Sequence, residues 1–378
     1  MKIDQLTWSS SGKWDGARKT DAQSVQLILG FGDVDMLANE QIYSSLKEDY
    51  ANALVVLVST AGEICHDQVN DQTVVANALQ FEKTTIEHVQ INISDYDNSE
   101  EAGETLASKL PHEGLKHVLI VSDGISVNGD ELAKGLNNKL DPSVLVTGGL
   151  AADGGRFTQT RVGAVTAPQS GAVVAVGFYG EDLIVGHGSM GGWDSFGPVR
   201  TITRSEGNKL YELDNKNALE VYKKYLGDKA SELPASALLF PLSIFNEDSD
   251  KELVRTILSI DEDEGSMTFA GDIPQDNKAR FMMANFDRLV EGAGNAAQSA
   301  NAMSDGDPEF VLMISCVGRK LVLGQRIEDE VEAVIELLGD DAVYSGFYSN
   351  GELSPFKEKS ECSLHNQTMT ITTYKEAV

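Results

Sequence analysis

One arrangement recurs along this chain and constrains its fold more than any other feature. An apolar run ends in a short polar or glycine turn. A helical pattern follows, then a second apolar run, a glycine-bearing turn and a closing strand. In the first copy, Val25 to Leu29 leads to Gly30-Phe31-Gly32, and Leu37 to Tyr50 sets Ile42, Leu46 and Tyr50 on one helical face. Ala53 to Val58 is then continuously apolar, Ser59 to Ile64 turns, and Val74 to Phe81 closes the copy. The second copy runs through strand Val118 to Val121, helix Asp130 to Leu140, strand Val144 to Val146, turn Gly148 to Gly155 and strand Ala172 to Phe178. The third uses strand Phe310 to Ile314, helix Ile327 to Leu338, strand Ala342 to Phe347, turn Tyr348 to Pro355 and a last strand to Tyr374. Apolar runs without alternation belong to strands buried on both faces, so each sheet needs cover on two sides.

The outer copies agree in detail. Gly62-Glu63-Ile64 matches Gly351-Glu352-Leu353, and Asp71-Gln72-Thr73 matches Asn366-Gln367-Thr368. The segments from Val89 and from Ala279 also share an order of strand, short loop and long helix. This pattern predicts an α/β fold with two related halves, mixed β-sheets covered by helices, arising from internal duplication. The halves are drawn at 1–200 and 201–378. The connection after Arg200 holds a helix from Asn217 to Leu226, with Gly227 placed as its C-terminal cap, then extended chain. A hairpin is expected from Arg255 to Ile260 and Ser266 to Phe269.

Charge narrows the partners. The 378 residues carry a formal net charge of −29. Nucleic-acid affinity comes largely from Lys and Arg displacing counterions, and no basic run offsets this field. DNA, RNA and anionic membrane surfaces are therefore not expected partners. The first residues lack the apolar core of a signal peptide, and no run approaches the ~20 apolar residues that span a bilayer. The three cysteines, Cys65, Cys316 and Cys362, are far apart and form no metal or redox motif. Together these features place the expected protein in the cytoplasm.

Gly186 to Arg200 is the most unusual stretch. It packs five glycines around His187, Trp193, Phe196 and Arg200. Gly186, Gly188 and Gly191 match G-x-G-x-x-G, but a β-like run follows instead of a helix, so no dinucleotide site is expected. The stretch reads as a tight corner between halves or as a loop around a ligand. His187 and His365 stand near strand ends, where α/β proteins build sites. Glu63 and Glu352 occupy matching turns, either as an acid–base pair or as acceptors that fix those turns. No Walker loop, nucleophile elbow or zinc spacing appears, and no catalysis is expected.

A set of ordered motifs then becomes informative: FGDVD, VSTAGEI, GGLAADG, HGSMGGWDSFG, SIDEDEGSMTFAGDIP, SCVGRKLVLG, GFYSNGELSP and LHNQTMT. Together they resemble the FIST family, with N-terminal and C-terminal modules, over about Val25 to Thr373. The resemblance implies a ligand-binding sensory module of bacterial signalling, first connected with small ligands such as amino acids. Stand-alone bacterial members, the NosP group, are b-type haemoproteins that sense nitric oxide and regulate a histidine kinase. From this resemblance follow haem b as cofactor, His187 as first candidate for the iron ligand and His365 as second. Trp193 lies beside His187 as a further contact. Tyr348, Cys316 and Cys362 are alternative ligands. Arg200, Arg255 and Arg319 are candidate partners for propionates or for an amino-acid carboxylate. A haem-free small-ligand sensor and a ligand-free interaction module are the other expectations, with a homo-oligomer open to each.

Overall fold

The computed structural model describes residues 1–9, 11–233, 235–246, 252–304, 306–356 and 360–377. Three units share one build. Unit 1 comprises β1 (Lys2–Trp8), β2 (Trp14–Asp15), β3 (Leu27–Gly32), α1 (Glu40–Asp49), β4 (Leu54–Ser59), β5 (Glu63–Cys65), β6 (Gln68–Asn70) and β7 (Val74–Gln80). Unit 2 comprises β8 (Thr85–Asn92), α2 (Ser99–Lys109), β9 (Leu115–Ser122), α3 (Gly129–Asn137), β10 (Leu145–Leu150), β11 (Val162–Gly163) and β12 (Ala172–Tyr179). Unit 3 begins with β13 (Leu183–Met190) and is interrupted by an inserted subdomain. That insert holds β14 (Asp194–Glu206), β15 (Lys209–Leu213), β16 (Lys216–Asn217), α4 (Ala218–Leu226), β17 (Leu242–Phe245), β18 (Glu252–Arg255), β19 (Ile257–Asp261), β20 (Ser266–Phe269) and β21 (Lys278–Met283). Unit 3 resumes with α5 (Phe286–Met303), β22 (Phe310–Cys316), α6 (Val317–Leu323), α7 (Ile327–Leu338), β23 (Val343–Ser349), β24 (Gly351–Pro355), β25 (Cys362–His365) and β26 (Met369–Glu376).

Each unit contributes one parallel pair: β3 with β4, β9 with β10, and β22 with β23. An antiparallel strand flanks the first member of each pair, and the strand that opens the unit lies beyond it. The remaining edge is supplied by another unit. β11 of unit 2 pairs with β4, β24 of unit 3 pairs with β10, and β5 of unit 1 pairs with β23. The exchange therefore closes a three-membered cycle. The mixed sheets and covering helices match the expected α/β class. The repeat is completed as three interlocked units, and the 200/201 boundary falls inside β14.

Strand alternation explains the layers. Leu27, Leu29 and Phe31 of β3 meet Leu119 and Val121 of β9 and Phe310, Leu312 and Ile314 of β22 in one interior shared by all three sheets. The intervening Ile28, Val118, Ile120, Val311 and Met313 face each sheet's own helices. In unit 2 those helices cross closely. A β-carbon at Gly135 would lie 2.0 Å from the Glu100 carbonyl oxygen, and one at Gly103 would lie 2.5 Å from that of Leu132. The insert has its own core around Tyr222, Leu242, Phe269 and Phe281. Helix α4 ends at Gly227 in a left-handed conformation, as expected of a cap glycine. A 3₁₀ turn follows at Gly227–Glu232, and the chain from Glu232 to Leu242, expected extended, forms a further 3₁₀ turn at Ala235–Leu239. Pro234 lies outside the described residues. Among the described residues no helix is long and apolar enough to cross a membrane, which does not bear on β-barrels.

Candidate functional site

The Gly186–Arg200 stretch is a corner. Strand β13 carries His187 in its interior, Gly191 to Trp193 break the strand, and β14 enters the insert. Three of its glycines, Gly186, Gly188 and Gly192, are demanded by helix packing. A β-carbon at Gly186 or Gly188 would stand 2.1 Å from the carbonyl oxygens of Ala300 and Ala296 on α5. Gly192 has φ +91, and a β-carbon there would be 2.0 Å from the Arg288 carbonyl oxygen. The loop-around-a-ligand expectation is thereby corrected: α5 occupies the space that these glycines leave.

His187 pairs with Thr372 across β13 and β26, and alternation turns its ring to the inner face that Leu183 and Val185 share. It is buried there near His117. His117 bonds the Leu145 carbonyl and the Tyr374 hydroxyl, and burial draws its pKa down to about 3. His365 is buried on β25, bonded to the Ser354 carbonyl oxygen at 3.1 Å and stacked on Phe356. The two histidines lie on different sheets.

Three other candidates do come together. Arg319, fully buried, donates from Nη2 and Nε to Glu330 Oε2 at 2.7 and 2.9 Å. Glu330 also accepts from the Tyr348 hydroxyl at 2.8 Å and from Ser315 at 3.0 Å. Arg319 reaches the carbonyl oxygens of Gly191 and Leu289, and the Trp193 indole donates to the Gln367 carbonyl at 3.0 Å. Burial first, then Glu330, pushes the Tyr348 phenol well above its usual pKa. This cluster ties the corner to α5, α6 and α7. Arg200 stands apart in the insert, held by Asp214 at 2.7 Å and the Tyr225 hydroxyl at 2.6 Å. Arg255 is likewise bonded to both Asp130 oxygens, at 2.9 and 3.0 Å, and to the Leu364 carbonyl, fastening the insert to units 2 and 3.

The matching carboxylates fix turns. Glu63 accepts from Thr60 and from the Thr73 hydroxyl and amide, and Glu352 accepts from Ser349 and from the Thr368 hydroxyl and amide. Gln72 and Gln367, one residue before each threonine, both adopt left-handed backbone at φ 56 and 62. Burial raises Glu63 to about 7 and Glu352 to about 8. Unit 2 differs. Burial opposes ionisation of Asp153 as well, but the amides of Gln159, Thr158 and Phe157 outweigh it and hold that carboxyl below its usual range.

A cleft opens at the carboxyl ends of the parallel strands, where open α/β sheets place ligands. The segments after all six contribute: the loops at Asp33–Met36, Thr60–Gly62, Gly124–Gly129, Asp153–Phe157 and Asn350, and the start of helix α6 at Val317–Leu321. The insert forms the facing wall with Asn208, Thr256–Leu258 and Phe269–Asp272. Three connected lobes have volumes of about 330, 700 and 760 Å³. The smallest lies beside α3. The middle lobe is apolar, with Ile125, Phe157, Leu233, Leu238, Leu258, Val317 and Leu321 in its walls. The third is polar, with Arg156, Lys320 and several carboxylates. Both cations there are already engaged, Arg156 by Asp35 at 2.9 Å and Lys320 by Asp71 and the Ala61 carbonyl. Of the residues singled out in the sequence, Glu63 and Cys316 line these lobes, with burial pushing the Cys316 thiol far up; His187, His365, Trp193, Arg200, Arg319 and Tyr348 do not. The cleft residues are isolated apolar side chains, and no periodicity in the sequence marks them.

A three-unit α/β core with an inserted wall over a cleft of this size defines a ligand-binding module. The chain belongs to the FIST family: the FIST N domain matches residues 26–216 and the FIST C domain residues 218–355. Domains of this family are sensory, ligand-binding modules of signal transduction. No curated protein matches the chain in sequence. Among solved structures, a cyanuric acid hydrolase from A. caulinodans is similar over 100% of this chain and 99% of its own, at 8% identity and a TM-score of 0.39. That likeness is too distant to bear on activity.

Proposed function

We propose that this protein is a small-ligand sensor whose ligand seats in the cleft between the three-unit core and the insert. The observation that carries this reading is convergence: six strand-end segments from three units and one face of the insert meet at a single opening. A ligand in the middle lobe touches units 2 and 3 and the insert at once, so binding favours one relative placement of these bodies. The ligand is bound rather than turned over. The one thiol in the lining is held protonated by burial, and Glu63 is occupied by threonine donors.

An amino-acid ligand rests on the family resemblance alone, because both cations of the polar lobe are already engaged, Arg156 by Asp35 and Lys320 by Asp71 and the Ala61 carbonyl. Haem with nitric oxide sensing, and control of a histidine kinase, rest on the family resemblance. The residues present do not fit haem. An iron ligand needs an open face, yet His187 and His365 are both buried and neither lines any of the three lobes. The arginines suited to propionates are joined to Asp214, Asp130 and Glu330. No step is therefore derived through haem. A haemin titration showing one saturable Soret band per chain, lost in His187→Ala, would reinstate it.

The test of the cleft is hydrogen exchange of the full chain with and without small molecules released from the purified protein. Protection at 124–129, 153–157, 256–258 and 317–321 is expected. Protection confined to other segments overturns the reading.

A further inference from the structure

We infer that the apolar lobe is built for an uncharged, largely apolar molecule that presents an N–H or O–H donor at one end. This inference rests on the cleft being the ligand site and deepens that reading.

The first ground is where exposed apolar surface collects. Ile125, Phe157, Leu258 and Leu321 are among the most exposed large hydrophobic side chains, at 43, 43, 44 and 53%. They come from two separate loops, helix α6 and the insert's hairpin, yet all four line the same 700 Å³ lobe. Contiguous apolar surface of this kind marks a binding groove, and cavities of roughly 300–1,000 Å³ are the usual size for small ligands.

The second ground is charge. Among the described residues the lining contains no Lys, Arg or His, and its one acid is Glu232, at the rim. An ionised head placed here would lose water and gain no counter-ion. A carboxylate, phosphate or sulfonate is thus disfavoured in this lobe, whatever the polar lobe accepts.

The third ground is two unsatisfied polar atoms. Thr256, 5% exposed, lines the lobe with its hydroxyl oxygen unbonded by protein. Asn350 donates from Nδ2 to the Gly124 carbonyl at 3.4 Å, which leaves buried Oδ1 without a partner. Buried polar atoms are normally bonded, and an orphan acceptor in a cavity wall points to a donor on the occupant. Oδ1 only accepts, and the Thr256 hydroxyl accepts or donates. The occupant therefore bonds Asn350 through N–H or O–H while its apolar body covers Phe157, Leu258 and Leu321.

Two probes of one skeleton separate these claims. N-Phenyl-1-naphthylamine is uncharged, aromatic and has a single N–H; 8-anilinonaphthalene-1-sulfonate adds a sulfonate. Fluorescence titrations of the full chain are run in 0.5 M salt, where the protein's overall negative field is screened to a few ångströms. The uncharged probe is expected to saturate one site and bind at least tenfold tighter than the sulfonate. Leu258→Asp and Phe157→Ala should each weaken it at least fivefold, and Asn350→Leu about threefold or more, with circular dichroism confirming the fold. If the sulfonate binds as tightly and Leu258→Asp abolishes both, the cleft stands and the uncharged-ligand inference fails. If neither probe responds to Leu258→Asp or Phe157→Ala, the cleft reading itself fails.

Discussion

The two sides of helix α6 have opposite roles. Arg319 turns inward to Glu330, Tyr348 and the corner at Gly191, and is wholly enclosed. Val317, Lys320 and Leu321, on the same two turns, face the cleft. The inward side is polar and saturated with bonds; the outward side is apolar or already neutralised. Charge in this region is used to join elements, and exposed apolar surface is what remains available to a ligand.

Breaking the inward side should have the largest effect. Arg319→Ala leaves Glu330 buried without its cation and is expected to cost about 3–5 kcal/mol in urea unfolding. The pair Arg319→Met with Glu330→Gln should recover part of that loss. A double variant no better than Arg319→Ala would show that the guanidinium acts through its carbonyl contacts instead. Gly188→Ala comes next. Its methyl meets the Ala296 carbonyl, and α5 must shift at a cost of about 1–3 kcal/mol, read as a lower thermal midpoint.

The buried carboxylates give a pH signature. Glu352 titrates near 8 when folded and near its ordinary value when unfolded, so the folded state binds the extra proton between those limits. Its contribution is complete below the unfolded value and is lost as pH rises through about 8. Glu63 behaves alike, with its loss ending near 7. Thermal midpoints should fall from pH 5 to 8. Glu352→Gln should flatten this slope by about 1 kcal/mol per pH unit, because Ser349 can turn to accept from the amide. An unchanged slope would remove Glu352 as its source. The smallest effect on stability belongs to the cleft: Phe157→Ala and Leu258→Ala should alter unfolding by no more than about 0.5 kcal/mol. A larger change would mean that these side chains support the fold.

The strands were legible because they are buried on both faces. Ala53 to Val58 and Phe310 to Ile314 read as unbroken apolar runs and appear as β4 and β22. Helix α7 begins and ends at the expected residues, since Ile327, Val331, Val334, Ile335 and Leu338 keep one face. The Glu63 and Glu352 turns were legible as a pair because the same donors follow each. The strand exchange was not, because β5, β11 and β24 are two to five residues long and nothing periodic says which sheet they join. Glycine density misleads for a physical reason: a close helix and a close ligand both exclude a β-carbon, and at Gly186 and Gly188 the neighbour is α5. The cleft was hidden because Phe157, Leu258 and Leu321 are distant in sequence and ordinary one by one.

The cyclic loan of strands has a consequence for synthesis on the ribosome. The sheet of unit 1 has all its strands once Gly163 has emerged, whereas that of unit 2 lacks β24 and β25 until His365 is made. Nearly two hundred residues of nascent chain thus appear while β10 keeps an open edge, the kind of edge that pairs with neighbouring chains. A chain cut after Lys216, at the end of the FIST N match, keeps that edge permanently. The two family segments are consequently parts of one folding event, which stays incomplete until β24 and β25 have been made.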